Sequence, residues 1–224
     1  MPINRIVAVF FLVMAAFLGG CAATETSRTL VPQTVETKNT AYRGKKFTLV
    51  VGQFENRSNY LQGIFSSKID YLGNQSKTIL KTHLQQTNRF NVVDRENMAR
   101  LAEEAKFSGA TQKIQGARIA VTGDVTEYGR KNTGDRQLFG ILGRGKTQVA
   151  YAKVALQIVD VQTSQIIYST QGAGEYALSN REVIGFGGTA GYDATLNGKV
   201  LNLAITEAVN KLVRDLENGT WSVE

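Results

Sequence analysis

The sequence predicts an α+β fold in which a β-sheet is flanked by helices. Segments with strand character alternate along the chain with segments whose apolar residues recur at helical spacing. The 224 residues are 42% apolar and 20% charged, a balance that is typical of a globular domain and argues against a disordered or fibrous chain. With 2 Pro and 22 Gly, the composition favours uninterrupted strands that bend at glycines over kinked helices.

Four strands and three helices are predicted. The strands are Phe47–Phe54, Phe90–Val93, Ile119–Thr122 and Val154–Val161. A helix at about Gln75–Thr87 places an apolar stripe and His83 on one face, so this histidine is expected to be a satisfied core residue. Asp94 is expected to cap the second helix, and about Leu201–Leu216 forms the third. The second helix is expected to bury Met98, Leu101, Ala102 and Ala105.

The composition excludes several classes of site. One cysteine and one histidine exclude zinc fingers, multi-cysteine metal sites and a disulfide framework. The search for paired carboxylates finds Glu103-Glu104, adjacent on a solvated helix face, and His83 has no obvious nucleophile beside it. We therefore expect no enzyme, no metal and no other cofactor. The net charge of +7 comes from thinly spread Lys and Arg, and no nucleic-acid partner is predicted.

The first 21 residues predict export and lipid attachment. An unbroken apolar run, Ile6–Leu18, is shorter than the ~20 residues of a spanning helix and suits the core of a signal peptide. It ends in Leu18-Gly19-Gly20-Cys21, which resembles a bacterial lipobox. We expect residues 1–20 to be removed and Cys21 to carry a covalent lipid. By resemblance to Gram-negative lipoproteins, Ala22 implies sorting to the outer membrane, with the protein on its periplasmic face.

A plain signal peptide that happens to contain a cysteine is the alternative. The sole cysteine of the chain falls at the lipobox position, which argues against that alternative. If the lipid consumes this thiol, no free cysteine remains for catalysis or redox work. Residues 21–46 are rich in Thr, Gln, Asn and Lys and are predicted to be an acylated tether to a folded domain at 47–224.

Two glycine-rich excursions, at about 126–153 and 170–199, are predicted to be β-hairpins. Each is long enough for two strands of about 10 residues and a turn, the length that spans a bilayer when tilted. On the return strand of the first excursion, the odd positions from Phe139 to Tyr151 are uncharged. In the second excursion, the even positions on either side of a turn at Ser179–Glu182 are uncharged. The outgoing strand of the first excursion shows the pattern less well, because Arg130 and Lys131 are adjacent and so lie on opposite faces. The large side chains predicted to face lipid are Phe139, Ile141, Tyr176, Ile184, Phe186 and Tyr192.

The same alternation also suits a soluble amphipathic sheet with one face on the core, which is the alternative reading of both excursions. Closure adds a further constraint on the membrane reading. Four strands cannot close a barrel, and an open sheet edge in lipid leaves backbone groups unsatisfied. Spanning hairpins therefore require several copies that complete one shared barrel.

A P-loop pattern occurs within the first excursion. Residues 140–147 read Gly-Ile-Leu-Gly-Arg-Gly-Lys-Thr and satisfy G-x-x-x-x-G-K-[ST]. A P-loop needs a buried strand before it and a helix after it, whose N-terminal N–H groups face the phosphates. Residues 129–137 are too polar for such a strand, and residues 148–161 are rich in Val, Ile and Tyr without a helix cap. We predict no nucleotide binding and expect Arg144 and Lys146 to lie on a water-facing strand.

Three segments resemble the CsgG/HfaB family of outer-membrane lipoproteins. Asn88–Arg95 is similar to the family's segment before the second helix, and Ala117–Val125 to the strand before its first membrane hairpin. Val154–Val161 is similar to the strand between its two hairpins. The resemblance covers Phe47–Leu216 and rests on the order and spacing of these segments.

The resemblance implies an outer-membrane lipoprotein whose periplasmic domains form a homo-oligomeric ring. Two hairpins from each protomer would join an oligomeric transmembrane β-barrel that contacts outer-membrane lipid. The family's name-giving member exports unfolded curli subunits without nucleotide, which implies a secreted protein substrate and periplasmic accessory proteins.

A loop after the first strand narrows the channel in that family. The corresponding loop here does not match residue by residue, and Tyr60, Phe65 and Tyr71 are its candidates to line a constriction. The alternative is a loop that packs its aromatic side chains on the body. At the level of the whole protein, the alternative is a non-spanning periplasmic lipoprotein that acts as a scaffold or adaptor for envelope proteins.

Overall fold

The computed structural model describes residues 32–60, 69–136, 144–182 and 196–223. Its strands are β1 (Phe47–Asn56), β2 (Phe90–Val93), β3 (Ile119–Arg136), β4 (Arg144–Asp160) and β5 (Ile166–Glu182). Its helices are α1 (Tyr71–Gln86), α2 (Met98–Phe107) and α3 (Leu196–Glu217). This arrangement confirms the predicted α+β fold.

The five strands form one mixed sheet in the order β2-β1-β3-β4-β5. Strand β1 lies parallel to both β2 and β3, whereas β3–β4 and β4–β5 are antiparallel. Parallel neighbours require crossover connections, which α1 and α2 supply, and antiparallel neighbours can be joined by short turns. The connection from β4 to β5 is such a turn, at residues 161–165.

Helices α1 and α3 pack on one face of the sheet and enclose the core. Alternate residues of the central strands point into it, among them Leu49, Ile119, Val121, Leu156 and Ile158. Gly172 and Gly174 of β5 lie directly under α3. The approach is so close that a Cβ atom at Gly172 would stand 2.1 Å from the carbonyl oxygen of Ala204. Glycine at these positions lets α3 approach the strand more closely than a side chain would allow.

His83 of α1 is a core residue, as predicted. Its side chain is 3% exposed, and its Nε2 lies 2.8 Å from Oδ1 of Asn202 and 3.1 Å from Oγ1 of Thr206, both on α3. The Asn202 amide nitrogen donates elsewhere, to the carbonyl of Gln33. The Asn202 oxygen therefore accepts from His83, which fixes the hydrogen on Nε2.

Strands β3 and β4 run far beyond the short segments predicted for them. They pair continuously, apart from one bulge after Val125, up to the pair formed by Arg136 and Arg144. Strand β5 pairs with β4 up to Glu182. The first excursion is thus continuous with the core strands. We call residues 126–136, 144–153 and 173–182 the extended sheet.

Both major helices begin earlier than predicted. Helix α1 begins at Tyr71 because the Asp70 side chain accepts a hydrogen bond from the backbone N–H of Gly73 and so caps the helix. Helix α3 begins at Leu196, so the last four residues of the excursion predicted for 170–199 are helical.

The burial predicted for α2 is wrong. None of its residues is buried, Leu101 is 47% exposed and Phe107 is 85% exposed. Asp94 does not cap the helix itself, because its carboxylate accepts from the backbone N–H of Glu96 and the side chain of Asn97, in the turn before Met98. The helical period of α2 is correct, but its apolar side stays exposed among the residues that the structure describes.

The second half of the predicted tether is packed on the folded domain. Val35 is 2% exposed, the carbonyl of Gln33 accepts from Asn202 at 3.0 Å, and the N–H of Glu36 donates to Asn210 at 3.1 Å. The residues on α3 that hold this segment are more than 160 positions away in the chain. We call residues 33–42 the strap.

The described residues contain neither a membrane-spanning helix nor a metal-binding cluster. No helix in the described ranges is long and apolar enough to cross a membrane. The same ranges contain no group of three or more His, Cys, Asp or Glu residues that could hold a metal ion.

The turn after β4 predicts an acid-sensitive contribution to stability. The N–H groups of Thr163 and Gln162 donate to Asp160, and Arg118 lies 2.9 Å from its other oxygen; together they lower the pKa of Asp160. A lowered pKa means stability that is present above about pH 4 and is lost as pH falls through the folded-state pKa. We expect Asp160→Asn to destabilise the protein more at pH 7 than at pH 2.5, in chemical denaturation. Equal losses at both pH values would contradict this, and Glu103→Gln on the exposed face of α2 is the control.

Candidate functional site

The loop that follows β1 is tied at both ends. The backbone N–H of Asn56 donates to Asp70 Oδ2 at 2.7 Å, and Asp70 Oδ1 accepts from Gly73 at 2.8 Å. The Asn56 side chain donates to the carbonyl of Tyr60 at 2.9 Å. Asp70 therefore joins the end of β1 to the start of α1, which fixes where the loop leaves and re-enters the body.

The described tyrosines of this loop lie in different surroundings. Tyr60 packs against the core, with its ring centroid 4.4 Å from that of Tyr128 on β3. Tyr71 is 62% exposed at the first position of α1. Phe65 lies outside the described residues. The structure therefore places Tyr60 and Tyr71 in different surroundings, and the role of all three candidates in a constriction stays a prediction.

An ion-pair cluster lies beside the same loop. Arg57 donates through Nε to Asp124 Oδ1 at 2.8 Å, and its Nη2 lies 3.0 Å from Glu55. The hydrogen bond to Asp124, followed by the two carboxylate charges, raises the pKa of Arg57. Because Arg57 is well exposed, this cluster adds little stability and mainly orients the start of the loop.

Helix α3 contacts the base of the extended sheet through Asn197. The Oδ1 atom of this residue accepts hydrogen bonds from the hydroxyl of Tyr128 and from Nη2 of Arg130. Sequence reasoning missed Asn197 and Tyr128. The bulge after Val125 shifts the alternation of β3, so a count by twos from Ile119 does not place Tyr128 on the core face.

Two edges of the extended sheet have no strand beside them among the described residues. Strand β1 pairs with β3 only as far as Val125, which leaves 126–136 unpaired on that side. Strand β5 is the last strand of the sheet that the structure describes, and no described strand pairs with its outer side. Lys211 of α3 covers one position of this edge by donating to the carbonyl of Gln171 at 3.1 Å.

The register of β4 and β5 corrects the predicted lipid-facing pattern. Tyr151 pairs with Glu175, and Ala150 pairs with Tyr176. Directly paired residues point to the same side of a sheet, so the odd positions of β4 and the even positions of β5 lie on opposite faces. They cannot form one continuous lipid-facing wall where the two strands are paired.

Tyr176 is the one predicted lipid-facing residue that the structure describes. It packs against the core on the α3 side, and Lys199 Nζ lies 5.1 Å from its ring centroid. In the single chain its ring contacts protein, so its contact with lipid stays a prediction. The other predicted residues lie outside the described residues, namely Phe139, Ile141, Ile184, Phe186, Tyr192 and the lipidation site Cys21.

The P-loop pattern lies in a different structural context from a nucleotide site. Its last residues, Arg144–Thr147, belong to β4, an antiparallel strand that continues to Asp160. The helix N-terminus that would bind phosphate does not follow it.

Comparison with known proteins identifies the family. Residues 32–224 match the model of the family described as curli production assembly/transport component CsgG. A protein of Neisseria meningitidis serogroup B, provisionally named as a lipoprotein, is 62% identical over 214 residues, 96% of each chain.

Among solved structures, the similarity is low. The lipoprotein GNA1162 of Neisseria meningitidis is 15% identical, with a TM-score of 0.36 over 77% of this chain and 99% of that one. The PelC dodecamer of Paraburkholderia phytofirmans is 13% identical, with a TM-score of 0.35 over 83% and 97%. The family match covers the whole described domain, and the chain belongs to the CsgG family of lipoproteins.

Proposed function

We propose that this CsgG-family lipoprotein is anchored in the outer membrane through Cys21 and assembles with further copies of itself into a ring. The ring would serve as a secretion pore or assembly platform for an exported unfolded protein subunit or adhesin. Periplasmic accessory proteins would assist it, and no nucleotide would drive it.

The two open edges of the extended sheet are the observation that supports this proposal. An edge presents a row of N–H and C=O groups that pair readily with another chain. In a bilayer, each such group left unsatisfied costs several kcal/mol. In the hairpin predicted for 170–199 the return strand would cover the outer side of β5, so in the ring the β3 edge of one copy would meet that return strand of the next copy. These are different surfaces, and a contact between two different surfaces of identical copies generates a ring when the rotation closes.

A periplasmic scaffold that does not span the membrane is the second candidate, and the strand register favours it. Arg130 and Lys131 are adjacent in β3 and so lie on opposite faces of the extended sheet. Tyr176, on the face opposite Tyr151, packs on α3. At this level neither face of the sheet is free of charge, which suits water or a protein partner better than lipid.

Photo-crosslinking in living cells tests the ring. A photoreactive benzoyl-phenylalanine at Lys131, an exposed residue beside the open edge of β3, is expected to crosslink to a second copy of the chain and give a ladder of higher oligomers. The matched control places the same residue at Phe107, which is 85% exposed on α2. Crosslinks to a different envelope protein would contradict the ring hypothesis and support the periplasmic scaffold instead. Equal self-crosslinking at both positions would show that the edge is not the contact.

A further inference from the structure

The strap connects the lipid-attachment region to the folded domain through specific contacts. Val35 and the two hydrogen bonds between the strap and α3 hold its first half, and its second half is held by Arg89, which is 5% exposed. Arg89 Nη1 donates to Oγ1 of Thr40 at 2.6 Å and to the carbonyl of Thr37 at 3.5 Å. Its Nη2 lies 2.5 Å from Glu217 at the end of α3, and its guanidinium lies 5.0 Å from the ring centroid of Tyr42.

These contacts fix the direction of the strap. Gln33 lies beside Asn202, Glu36 beside Asn210, and Thr40 is joined through Arg89 to Glu217. The strap therefore runs along α3 in the same direction as the helix. Its N-terminal end lies nearer the start of α3.

The start of α3 lies at the extended sheet. Asn197 contacts Tyr128, and Lys199 lies over Tyr176, whereas Asp215 near the other end accepts a hydrogen bond from Tyr168 in the lower part of β5. The strap thus leaves the domain at Gln33, toward the end from which the extended sheet continues.

We propose that the strap shortens the lipid tether and turns the extended-sheet end of the domain toward the membrane surface. This inference rests on the acylation of Cys21, which is part of the proposed function, but not on a pore. A free chain from Cys21 to Phe47 could reach about 90 Å, whereas the chain from Cys21 to Gln33 reaches about 40 Å at most. The docked strap therefore removes more than half of the reach.

The side chains at this end suit a lipid headgroup surface. Lys131 is exposed there, and Arg130 and Lys199 lie at the same level of the sheet. Cations near a bilayer surface are attracted to anionic headgroups. Tyr151, which is 41% exposed, adds an amphipathic ring of the kind enriched at membrane interfaces.

Energy transfer to the membrane measures the orientation. Because lipid consumes the thiol of Cys21, Tyr151→Cys and Val161→Cys each give one site for a donor dye in the full acylated chain. These positions are 41% and 48% exposed and about 33 Å apart along β4. In vesicles of phosphatidylethanolamine and phosphatidylglycerol with rhodamine-labelled lipid, we expect at least twofold greater transfer from position 151. Equal transfer, or greater transfer from 161, would overturn the proposed orientation.

Two insertions separate the effect of the strap from that of the hairpins. Both are made in a Phe186→Asp background, in which the hairpins are not expected to insert into the membrane and anchor the domain there. A Gly/Ser segment of about 20 residues lengthens the mean reach of the chain from Cys21 to Gln33 from roughly 19 Å to roughly 31 Å. Inserted after Leu30, before the strap, it should lower transfer from position 151 at least twofold. Inserted after Gly44, on the C-terminal side of the strap, it should leave transfer unchanged. The docked strap still fixes the distance from the membrane to the domain, so the added length has no effect.

Equal effects of the two insertions would show that the strap does not shorten the lipid tether. This conclusion would hold whether or not the wild-type protein conducts ions. Conversely, if the protein shows no channel activity but gives the expected transfer pattern, the pore hypothesis is wrong and the proposed role of the strap stands. The two hypotheses can therefore be rejected independently.

Discussion

Gly172→Ala is expected to destabilise the protein by about 3 kcal/mol or more, because α3 cannot move away from β5 without opening the core. A Cβ atom at this position would lie 2.1 Å from the carbonyl oxygen of Ala204 and 2.5 Å from the backbone nitrogen of Ala208. Both are backbone atoms, so no side-chain rotation relieves the overlap. Ala204 and Ala208 are themselves fully buried against the strand.

Urea denaturation followed by far-UV circular dichroism measures this effect. Gly116→Ala is the matched control, because a Cβ atom there meets nothing within 4 Å, and we expect a change within about 0.5 kcal/mol. A loss of stability for Gly172→Ala no larger than that of the control would show that the contact between α3 and β5 is looser than described.

The predicted fold was correct where the pattern is local. In α1 and β1, the apolar residues that contact the core recur at the helical and the strand period, so the sequence pattern identifies both elements. The same pattern predicts that His83 points inward. Strands within 126–153 were predicted, but their continuity with the core strands was not, because the bulge after Val125 shifts the alternation of β3 between its inner and outer parts. Tyr128, Ala150 and Ala152 are buried in this region and extend the core face of the sheet.

The strap shows why the tether was misjudged. One apolar residue, Val35, enters the core, and a single residue produces no period. Its remaining contacts are hydrogen bonds to Asn202, Asn210 and Arg89, which lie far away in the chain. A polar segment that is held by polar residues far away in the chain has the same composition as a flexible linker, so composition alone does not distinguish the two.

The predicted alignment of the two lipid-facing faces was wrong for a related reason. Alternation within one excursion fixes which residues share a face, but the register between strands decides how the faces of different strands align. The bulge between Ile158 and Val159 helps to set that register, and no residue pattern in the excursions reports it. The membrane hypothesis therefore has to be tested on residues beyond the paired region.

Phe186→Asp is expected to abolish the channel activity of the acylated protein. If the second excursion enters lipid at Phe186, a carboxylate there would have to be buried in hydrocarbon at a cost of a few kcal/mol per copy, and a ring multiplies that cost by its number of copies. Single-channel recording in a planar bilayer should show discrete steps for the wild-type protein and none for the variant. Thr189→Asp is the matched control, because it introduces the same charge on the face predicted to contact water.

The pattern of results separates the two candidate functions. Steps that persist in Thr189→Asp and vanish in Phe186→Asp require that position 186 faces lipid in an assembled pore, since both variants carry the same charge three residues apart. Loss of steps in both variants would indicate that any charge in this segment prevents assembly, and the predicted faces would then be wrong. An absence of steps in the wild type, from a protein that elutes at monomer size, would exclude the pore. The extended sheet, with Arg130 and Lys131 on its two faces, would then be a binding surface in the periplasm, and the partner captured at Lys131 would identify what it binds.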